Sequence, residues 1–340
     1  MLLVGDIGAT NARLALVDRE HGLARPAREG TLPSGHYTAL EPLLGEFLRD
    51  APAIERAVLA VAGPVVNGRA ELTNLRWVVE EASLGRALGT PSVRLINDLV
   101  ALAHAVPHAA ADALHTLQQG TRAAGGTIAV VAPGTGMGQA FLTWDGARYR
   151  AYPSEGGHAD FAPTDALQDE LLGWLRGRVE HVSYERVCSG RAMPDLYDFL
   201  RERGTAPVEP WLAERLAAAE DRTTVIVEAA VDERRASPLC VATLELFASI
   251  LAAEAGNAAL RLLATGGVYL GGGLPRRVVP LLAREHVLER FRRKGRLSGF
   301  LARVPLHVIV ARGMALRGAA HLALSGDAPA TESVSARAAG

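Results

Sequence analysis

Apolar runs alternate with polar, glycine-rich turns along the chain, and this alternation predicts a mixed α/β protein. Continuous apolar runs predict buried strands at residues 57–62, 93–96, 127–132, 268–270 and 304–310. Apolar positions at helical spacing predict helices over residues 80–88, 99–106, 167–178, 192–203, 211–219, 224–232, 238–264 and 314–324. The segment 238–264 is apolar on most faces, which is typical of a helix at the centre of a core.

Two segments share one pattern, in which an apolar strand, a glycine turn containing a threonine and a second apolar strand follow each other. They cover residues 2–18 and 127–142. Glycine allows a tight turn and leaves backbone N–H groups approachable, which suits the phosphates of a nucleotide. Asp6 ends a buried strand, where a carboxylate needs a cation such as Mg²⁺ or hydrogen-bond donors. Either turn alone is also compatible with an ordinary hairpin, but the recurrence suggests two related halves facing one cleft.

Asn97 and Asp98 stand between the predicted strand 93–96 and the predicted helix 99–106. Polar side chains at the carboxyl end of a strand are where α/β folds place ligands. Aspartate is also a common N-cap residue, so Asp98 can be interpreted as a helix cap. The residues themselves leave catalysis and capping both open.

Residues 153–163 combine glycine pairs, bracketing prolines and the ionisable side chains of Glu155, His158 and Asp160, which predicts a functional loop. One histidine with two carboxylates lacks a specific metal-ligand spacing. Recognition of hydroxyl groups fits better, because carboxylates accept from hydroxyls and imidazole can donate or accept. Residues 183–186 are predicted to open a further helix, with Glu185 near its positive end.

Composition and charge favour a folded protein without broad affinity for polyanions. The chain has 340 residues, 49% hydrophobic and 21% charged, which is enough for two domains. A net charge of -1 argues against nucleic-acid or anionic-membrane binding. Lys294 is the only lysine, so phosphates would be bound by backbone groups, Mg²⁺ or arginine. The basic run at 291–296 is interpreted as a solvated helix end in preference to an anion site.

The cysteine pattern and the N-terminal segment predict a cytoplasmic location. Cys188 and Cys240 form neither a metal spacing nor a disulfide framework, which predicts buried free thiols in a reducing compartment. The N-terminal segment has no basic region, and Asp6 interrupts its apolar run, so no signal peptide is expected. No uninterrupted apolar stretch reaches the ~18 residues of a membrane span.

Six blocks in a fixed order carry a resemblance, and they lie at residues 5–13, 96–98, 133–138, 155–161, 185–190 and 266–273. Together they resemble the bacterial glucokinase family of the actin-like/hexokinase/Hsp70 superfamily. The resemblance implies a two-domain actin-like ATPase (ribonuclease H-like) α/β fold with a cleft between a small and a larger domain. The small domain would comprise residues 1–108 and 312–326, and the large domain residues 109–311. Small, polar residues at 327–340 predict a disordered tail.

The resemblance also implies the roles of individual residues. Asp98 matches the catalytic base, and positions matching sugar-binding residues are Asn97, Glu155, His158 and Glu185, with Asn74 a weaker candidate. ATP would be bound by Gly5, Asp6, Ile7, Gly8, Ala9, Thr10, Gly134, Thr135, Gly136 and Gly272, and Mg²⁺ by Asp6. The implied assembly is a homodimer.

The implied activity is that of a glucokinase, which transfers the ATP γ-phosphoryl group to the 6-hydroxyl of glucose and yields glucose 6-phosphate for glycolysis. A kinase for another hexose or phosphoryl donor and a non-catalytic sugar sensor are the alternatives. Ala9 replaces a common family glycine, and residues 312–318 are an altered family segment, which affects expectations for the nucleotide more than for the sugar. No Cys-x-Cys motif lies near His158, which disfavours the related zinc-containing repressor/kinase family.

Overall fold

The structure, a computed structural model, describes residues 1–72, 74–232 and 234–326. Over these residues the chain forms two compact units. The first contains Met1–Ala109, Asp145–Pro153 and the described residues from Ala311 onward, and the second contains Ala110–Trp144 and Ser154–Val310. The sequence prediction had placed residues 145–153 with the large domain. The predicted disordered tail lies outside the described residues.

The elements are numbered along the chain. The strands are β1 (Leu2–Ile7), β2 (Asn11–Val17), β3 (Arg28–Pro33), β4 (Arg56–Val61), β5 (Val65–Val66), β6 (Arg69–Leu72), β7 (Trp77–Glu80), β8 (Val93–Asn97), β9 (Leu114–Gln118), β10 (Ile128–Pro133), β11 (Met137–Trp144), β12 (Tyr149–Ser154), β13 (Gly267–Leu270) and β14 (Leu306–Ile309). The helices are α1 (Leu40–Phe47), α2 (Glu81–Leu88), α3 (Asp98–Ala105), α4 (Ala166–Arg176), α5 (Met193–Glu202), α6 (Pro210–Ala218), α7 (Arg222–Val231), α8 (Pro238–Leu262), α9 (Gly273–Arg277), α10 (Val279–Leu282), α11 (Glu285–Arg292), α12 (Ser298–Leu301) and α13 (Met314–Ser325). The mixed α/β class predicted from the sequence is confirmed.

The first unit is built on a five-stranded sheet with the order β3-β2-β1-β4-β8. Strand β1 is antiparallel to β2 and parallel to β4, which is parallel to β8. The register pairs Asp6 with Ala60, and Val61 with Asn97. Asp6 and Asn97 therefore both lie near the carboxyl-end edge of these parallel strands, where α/β sheets commonly bind ligands.

Helix α13 packs on the first unit's sheet and against α3. Its apolar residues Leu316, Ala319 and Ala323 form one buried cluster with Leu2 of β1. A Cβ on Gly318 would lie 1.7 Å from the Ala101 carbonyl oxygen, so a glycine is needed for the close approach of the two helices. This contact fixes α3, the helix that begins at Asp98, against the end of the described chain.

The second unit contains five neighbouring strands of one sheet, in the order β11-β10-β13-β14-β9. Strand β10 is antiparallel to β11 and parallel to β13, which continues parallel to β14. Helix α8 supplies much of the core, with Leu244, Phe247 and Leu251 fully buried. The prediction of a central core helix is confirmed, and so is that of two buried free thiols at Cys188 and Cys240.

Helix α8 also meets the length and composition expected of a membrane-crossing helix, alone among the helices in the described residues. Its most apolar window is 78% buried inside the protein. Burial of this kind is what a core helix of a globular unit shows, since its apolar faces contact protein on all sides.

Candidate active site

The first glycine hairpin joins β1 to β2 and is held by a residue that the sequence analysis missed. Ser34 is fully buried, and its Oγ donates to the Gly8 carbonyl at 2.8 Å while its N–H donates to the Thr10 carbonyl at 3.0 Å. Within the turn, the Gly8 N–H donates to the Asn11 carbonyl at 3.0 Å. Ala9 and Thr10 are exposed. The turn at residues 8–10 is therefore fixed by hydrogen bonds, and its tip is exposed to solvent.

Three residues predicted to bind ATP, namely Gly5, Asp6 and Ile7, lie inside β1 rather than in this turn. Ile7 is fully buried. A Cβ on Gly5 would lie 2.7 Å from Leu59 Cδ2 and 2.9 Å from Leu14 Cδ2, so the glycine makes room for leucines on both neighbouring strands. Packing alone thus accounts for Gly5 and Ile7, and a part in nucleotide binding stays a prediction for both.

Asn97, and not Asp98, caps helix α3. Its Oδ1 accepts from the N–H groups of Leu99 at 2.9 Å and Val100 at 3.2 Å, and its Nδ2 donates to the Gly63 carbonyl at 3.0 Å. Asp98 is the first helical residue, and its Oδ1 accepts from the Leu99 N–H at 2.8 Å. The capping interpretation of Asp98 is therefore wrong, because its neighbour already performs that task.

The charge of Asp6 acts on the neighbouring carboxyl group of Asp98. Burial and the negative charge of Asp6 raise the pKa of Asp98 to about 6, against the lowering effect of the backbone N–H bonds. Burial also raises the pKa of Asp6, an effect that the positive charge of Arg13 opposes. Two carboxyl groups perturbed in this way at a sheet edge are a candidate functional site. A pKa near 6 also suits a general base at neutral pH.

The second glycine hairpin joins β10 to β11 and is tied to the segment that follows Ser189. The Gly134 N–H donates to the Gly136 carbonyl at 2.8 Å. The Gly134 carbonyl accepts from the Gly190 N–H at 2.8 Å, and the Thr135 carbonyl accepts from the Arg191 N–H at 3.1 Å. Hydrogen bonds from the backbone N–H groups of Gly190 and Arg191 thus fix this turn, as the hydrogen bonds of Ser34 fix the first one.

Gly272 lies directly against this second hairpin. It has a φ of +87°, and a Cβ there would lie 2.3 Å from the Pro133 carbonyl oxygen. Both the backbone conformation and the close approach require glycine. The structure therefore brings Gly272 together with Gly134, as expected if both contact one nucleotide.

Glu155, His158 and Glu185, which were predicted to contact the sugar, are assembled around one loop of the second unit. The Glu155 and His158 side chains are 84% and 60% exposed, and 3.9 Å separates Glu155 Oε2 from His158 Nε2. Glu185 donates its N–H to the Gly157 carbonyl at 2.8 Å, and its Oε2 accepts from the Met137 N–H at 2.9 Å. Asn74 lies exposed in the turn between β6 and β7 of the first unit.

The predicted helix at residues 183–186 is wrong. Ser183 forms an isolated antiparallel bridge with Asp160, and the Tyr184 N–H donates to the Ala159 carbonyl at 3.0 Å. The following N–H groups of Arg186 and Val187 donate to carbonyls only three residues back, at 3.1 Å each, so the segment forms turns and no α-helix.

The chain is similar to known proteins along nearly its whole length. The sequence profile of the glucokinase family matches residues 3–325. A glucokinase of Trichormus variabilis is 38% identical over 334 residues, covering 94% of this chain and 98% of its own. The crystal structure of a glucokinase from an Antarctic psychrotroph is 30% identical, with a TM-score of 0.79 over 96% of this chain and 99% of that one.

A more distant structure has the same fold. It is a ROK family glucokinase from Streptomyces griseus in complex with glucose and AMPPNP, 19% identical with a TM-score of 0.61 over 96% of this chain and 99% of that one. The chain thus has the mixed α/β fold of these sugar kinases, which is that of the actin-like ATPases. From the profile match and the curated relative, the chain belongs to the glucokinase family.

Proposed function

We propose that the chain is an ATP-dependent glucokinase that transfers the γ-phosphoryl group of ATP to the 6-hydroxyl of glucose and yields glucose 6-phosphate for glycolysis. Membership of the glucokinase family supports the activity. The single structural observation that carries the mechanism is Asp98, whose pKa is raised to about 6 at the edge of a parallel sheet while Asn97 caps its helix. Asp98 is thus free of a capping duty and has the proton affinity of a general base.

Phosphoryl transfer depends mainly on in-line positioning and on neutralising charge around the transferred group. Asp98 accepts the proton of the sugar hydroxyl as the new O–P bond forms. The turns at residues 8–10 and 134–136 orient the phosphates through backbone N–H groups, with Gly272 beside the second turn. Lys294, the only lysine, is engaged elsewhere, so no P-loop lysine takes part.

Asp6 is the residue that would hold Mg²⁺. The fit rests on Asp6 and Asp98, two carboxyl groups whose pKa values burial raises, with the charge of Asp6 raising that of Asp98 further; a divalent cation relieves such repulsion. In the described residues no group of three or more His, Cys, Asp or Glu side chains forms a metal site. This suits Mg²⁺, which commonly binds through one or two carboxylates, phosphates and water. When bound, the ion neutralises phosphate charge.

Glucose is held by Glu155, His158 and Glu185, with Asn97 and Asn74 as further contacts. A site that pairs each hydroxyl rejects sugars that lack one, because its polar groups would then stay unpaired once closure has excluded water. Asn97 Oδ1 accepts two helix N–H groups and one Nδ2 hydrogen is donated to the Gly63 carbonyl, so the second Nδ2 hydrogen is the group offered to the sugar. The proposal includes closure of a two-domain cleft on glucose, a homodimer and a cytoplasmic location.

A coupled assay of glucose, mannose and fructose against ATP, ADP and polyphosphate tests this function. We expect the highest kcat/KM with glucose and ATP. A higher value for another pair would favour the alternative hexose or donor. Glucose binding without turnover for any pair would favour the sugar sensor.

A further inference from the structure

A fully buried carboxylate lies on helix α8 and has no part in the proposed mechanism. Glu254, Asn257 and Arg261 form a polar stripe along the second half of this largely apolar helix. Glu254 is 0% exposed, its Oε1 accepts from Gln139 Nε2 at 2.8 Å, and its Oε2 accepts from Asn257 Nδ2 at 3.1 Å. The Arg261 guanidinium also donates to Oε1. A buried charge is costly unless it is paired and hydrogen-bonded, and here it is both.

The only lysine of the chain completes the cluster. Lys294 Nζ donates to Asn257 Oδ1 at 2.6 Å and to the Ala253 carbonyl at 3.0 Å. Burial lowers the pKa of Lys294, an effect that the charge of Glu254 opposes. The interpretation of residues 291–296 as a solvated helix end is thus wrong for Lys294. We call the connected residues Gln139, Tyr184, Glu254, Asn257, Arg261 and Lys294 the Glu254 network.

The first branch of the Glu254 network reaches the loop at residues 155–158. The Gln139 carboxamide directs its Nε2 to Glu254, so its Oε1 points the other way. A Cβ on Gly156 would lie 2.3 Å from that Oε1, which shows how closely the carboxamide and this loop approach. The negative charge of Glu254 therefore fixes the orientation of the Gln139 carboxamide, which packs directly against Gly156.

The second branch of the network reaches the same loop from the following segment. Asn257 Nδ2 donates to the Tyr184 hydroxyl at 2.9 Å. The Tyr184 N–H donates to the Ala159 carbonyl at 3.0 Å, and the Glu185 N–H donates to the Gly157 carbonyl at 2.8 Å. The two branches thus bracket the loop that carries Glu155 and His158.

We propose that Glu254 is a positioning residue for sugar binding. Through Gln139 and Tyr184 it holds the 155–158 loop and Glu185 in the positions that binding of the sugar requires. The inference rests on the proposed function of those residues. The phosphate turn at 134–136 is fixed by the backbone N–H groups of Gly190 and Arg191, and Glu185 contacts it only at its end, where its Oε2 accepts from the Met137 N–H at 2.9 Å. Loss of the Glu254 charge should therefore affect glucose more than ATP.

The test compares Glu254→Gln with a matched control on the same helix. Glu254→Gln keeps the size of the side chain and removes its charge. We expect the glucose KM to rise about tenfold and the ATP KM to change by less than about twofold, because small displacements of binding groups are costly. The control is Glu245→Gln, since Glu245 also pairs with an arginine, Arg284, but at the surface. It should leave both KM values unchanged.

A second variant, Gln139→Met, removes the carboxamide without touching the buried charge. We expect the glucose KM to rise by no more than it does in Glu254→Gln, and the double variant should be no worse than Glu254→Gln alone, because Gln139 is one of the two branches through which Glu254 acts. A merely structural role would lower Tm and kcat per mole of protein while both KM values stayed constant. That result, or equal rises in both KM values, would overturn the proposal. If Glu254→Gln fails to fold, Gln139→Met alone decides.

Failure of the proposed function would be visible separately, in the unmodified protein. Such a protein would form no glucose 6-phosphate from glucose and ATP. Isothermal titration of glucose into the same variants then still tests the positioning role, with about tenfold weaker binding expected for both Glu254→Gln and Gln139→Met. Unchanged glucose affinity in both folded variants would overturn it.

Discussion

Asn97 caps the helix that begins at Asp98. The sequence left open whether Asp98 serves as a helix cap or as a catalytic base, and the cap is supplied by its neighbour. The Asn97 carboxamide accepts from the Leu99 and Val100 N–H groups, while the Asp98 carboxyl lies close enough to Asp6 for that charge to raise its pKa. The cap fixes the start of α3, and with it the backbone that carries Asp98. Four predictions follow from this site and from the two glycine turns.

Replacing Asp98 with asparagine should remove the general base while keeping the shape of the side chain. We expect kcat to fall by about 10²- to 10⁴-fold, which is the usual contribution of general-base catalysis. Glucose binding should stay within about tenfold, since hydrogen bonds to the sugar are largely retained. Turnover is measured in the coupled assay and binding by titration calorimetry. Turnover near that of the unmodified protein would contradict the assignment of the base.

The same Asp98→Asn variant should be more stable at pH 7. The folded state raises the pKa of Asp98 from 3.8 to about 6, so it holds the proton more tightly than the unfolded state does. The free energy of unfolding therefore falls as the pH rises through this interval, and an uncharged asparagine avoids the loss. We expect a gain of about 1–3 kcal/mol, following from ~1.4 kcal/mol per pKa unit.

Thermal unfolding at pH 7 and at pH 4 measures this effect. The stability difference between Asp98→Asn and the unmodified protein should nearly vanish at pH 4, where the native carboxyl group is protonated. An equal difference at both pH values would show that packing, and not charge, is responsible. Lower stability of the variant at pH 7 would contradict the prediction outright.

Replacing Gly272 with alanine should disturb the second phosphate turn. The added Cβ would lie 2.3 Å from the Pro133 carbonyl oxygen, at a φ of +87°. Both effects force the backbone to move, so we expect the ATP KM to rise about tenfold or more, with a smaller change in glucose KM. Gly273→Ala is the matched control, because a Cβ there meets nothing within 4 Å. Equal ATP KM values for the two variants would refute the prediction.

Replacing Ser34 with alanine should loosen the first phosphate turn. The variant loses the 2.8 Å bond from Oγ to the Gly8 carbonyl and keeps the backbone bond to Thr10. One such bond contributes about 1 kcal/mol, so we expect a several-fold rise in ATP KM and a small decrease in Tm. Ser83→Ala serves as the control, since Ser83 Oγ donates to Glu41 at 3.0 Å in the same unit. An ATP KM that stays constant while Tm drops would limit Ser34 to a structural role.

Much of the fold was predictable because its signals are local. The apolar stretch that became α8 is long and apolar on most faces, so its place in a core followed from periodicity alone. The two glycine hairpins were identified from short runs of adjacent residues, and their turns are formed at residues 8–10 and 134–136. The order of the motif blocks also identified the family, which the comparisons confirm.

The predictions failed where residues compete for the same backbone groups. Residues 183–186 have a helix-like opening, but the Val187 N–H donates to the Tyr184 carbonyl and not to that of Ser183, so the turn does not continue as an α-helix. Asp98 and Asn97 are both good capping residues, and only the folded geometry shows that Asn97 does so. Local sequence preference shows which residues could cap a helix or begin one. Tertiary contacts determine which of them does so in the folded protein.

The sequence by itself determined the family, the secondary structure of the long elements and the identity of the glycine turns. Only the tertiary structure decided what holds those turns and loops: Ser34 contacts Gly8 across 26 positions, and Gln139 contacts Glu254 across 115. The physical reason is that periodicity and turn chemistry act between neighbours in the chain. A hydrogen bond between residues brought together by packing leaves no comparable pattern in the sequence.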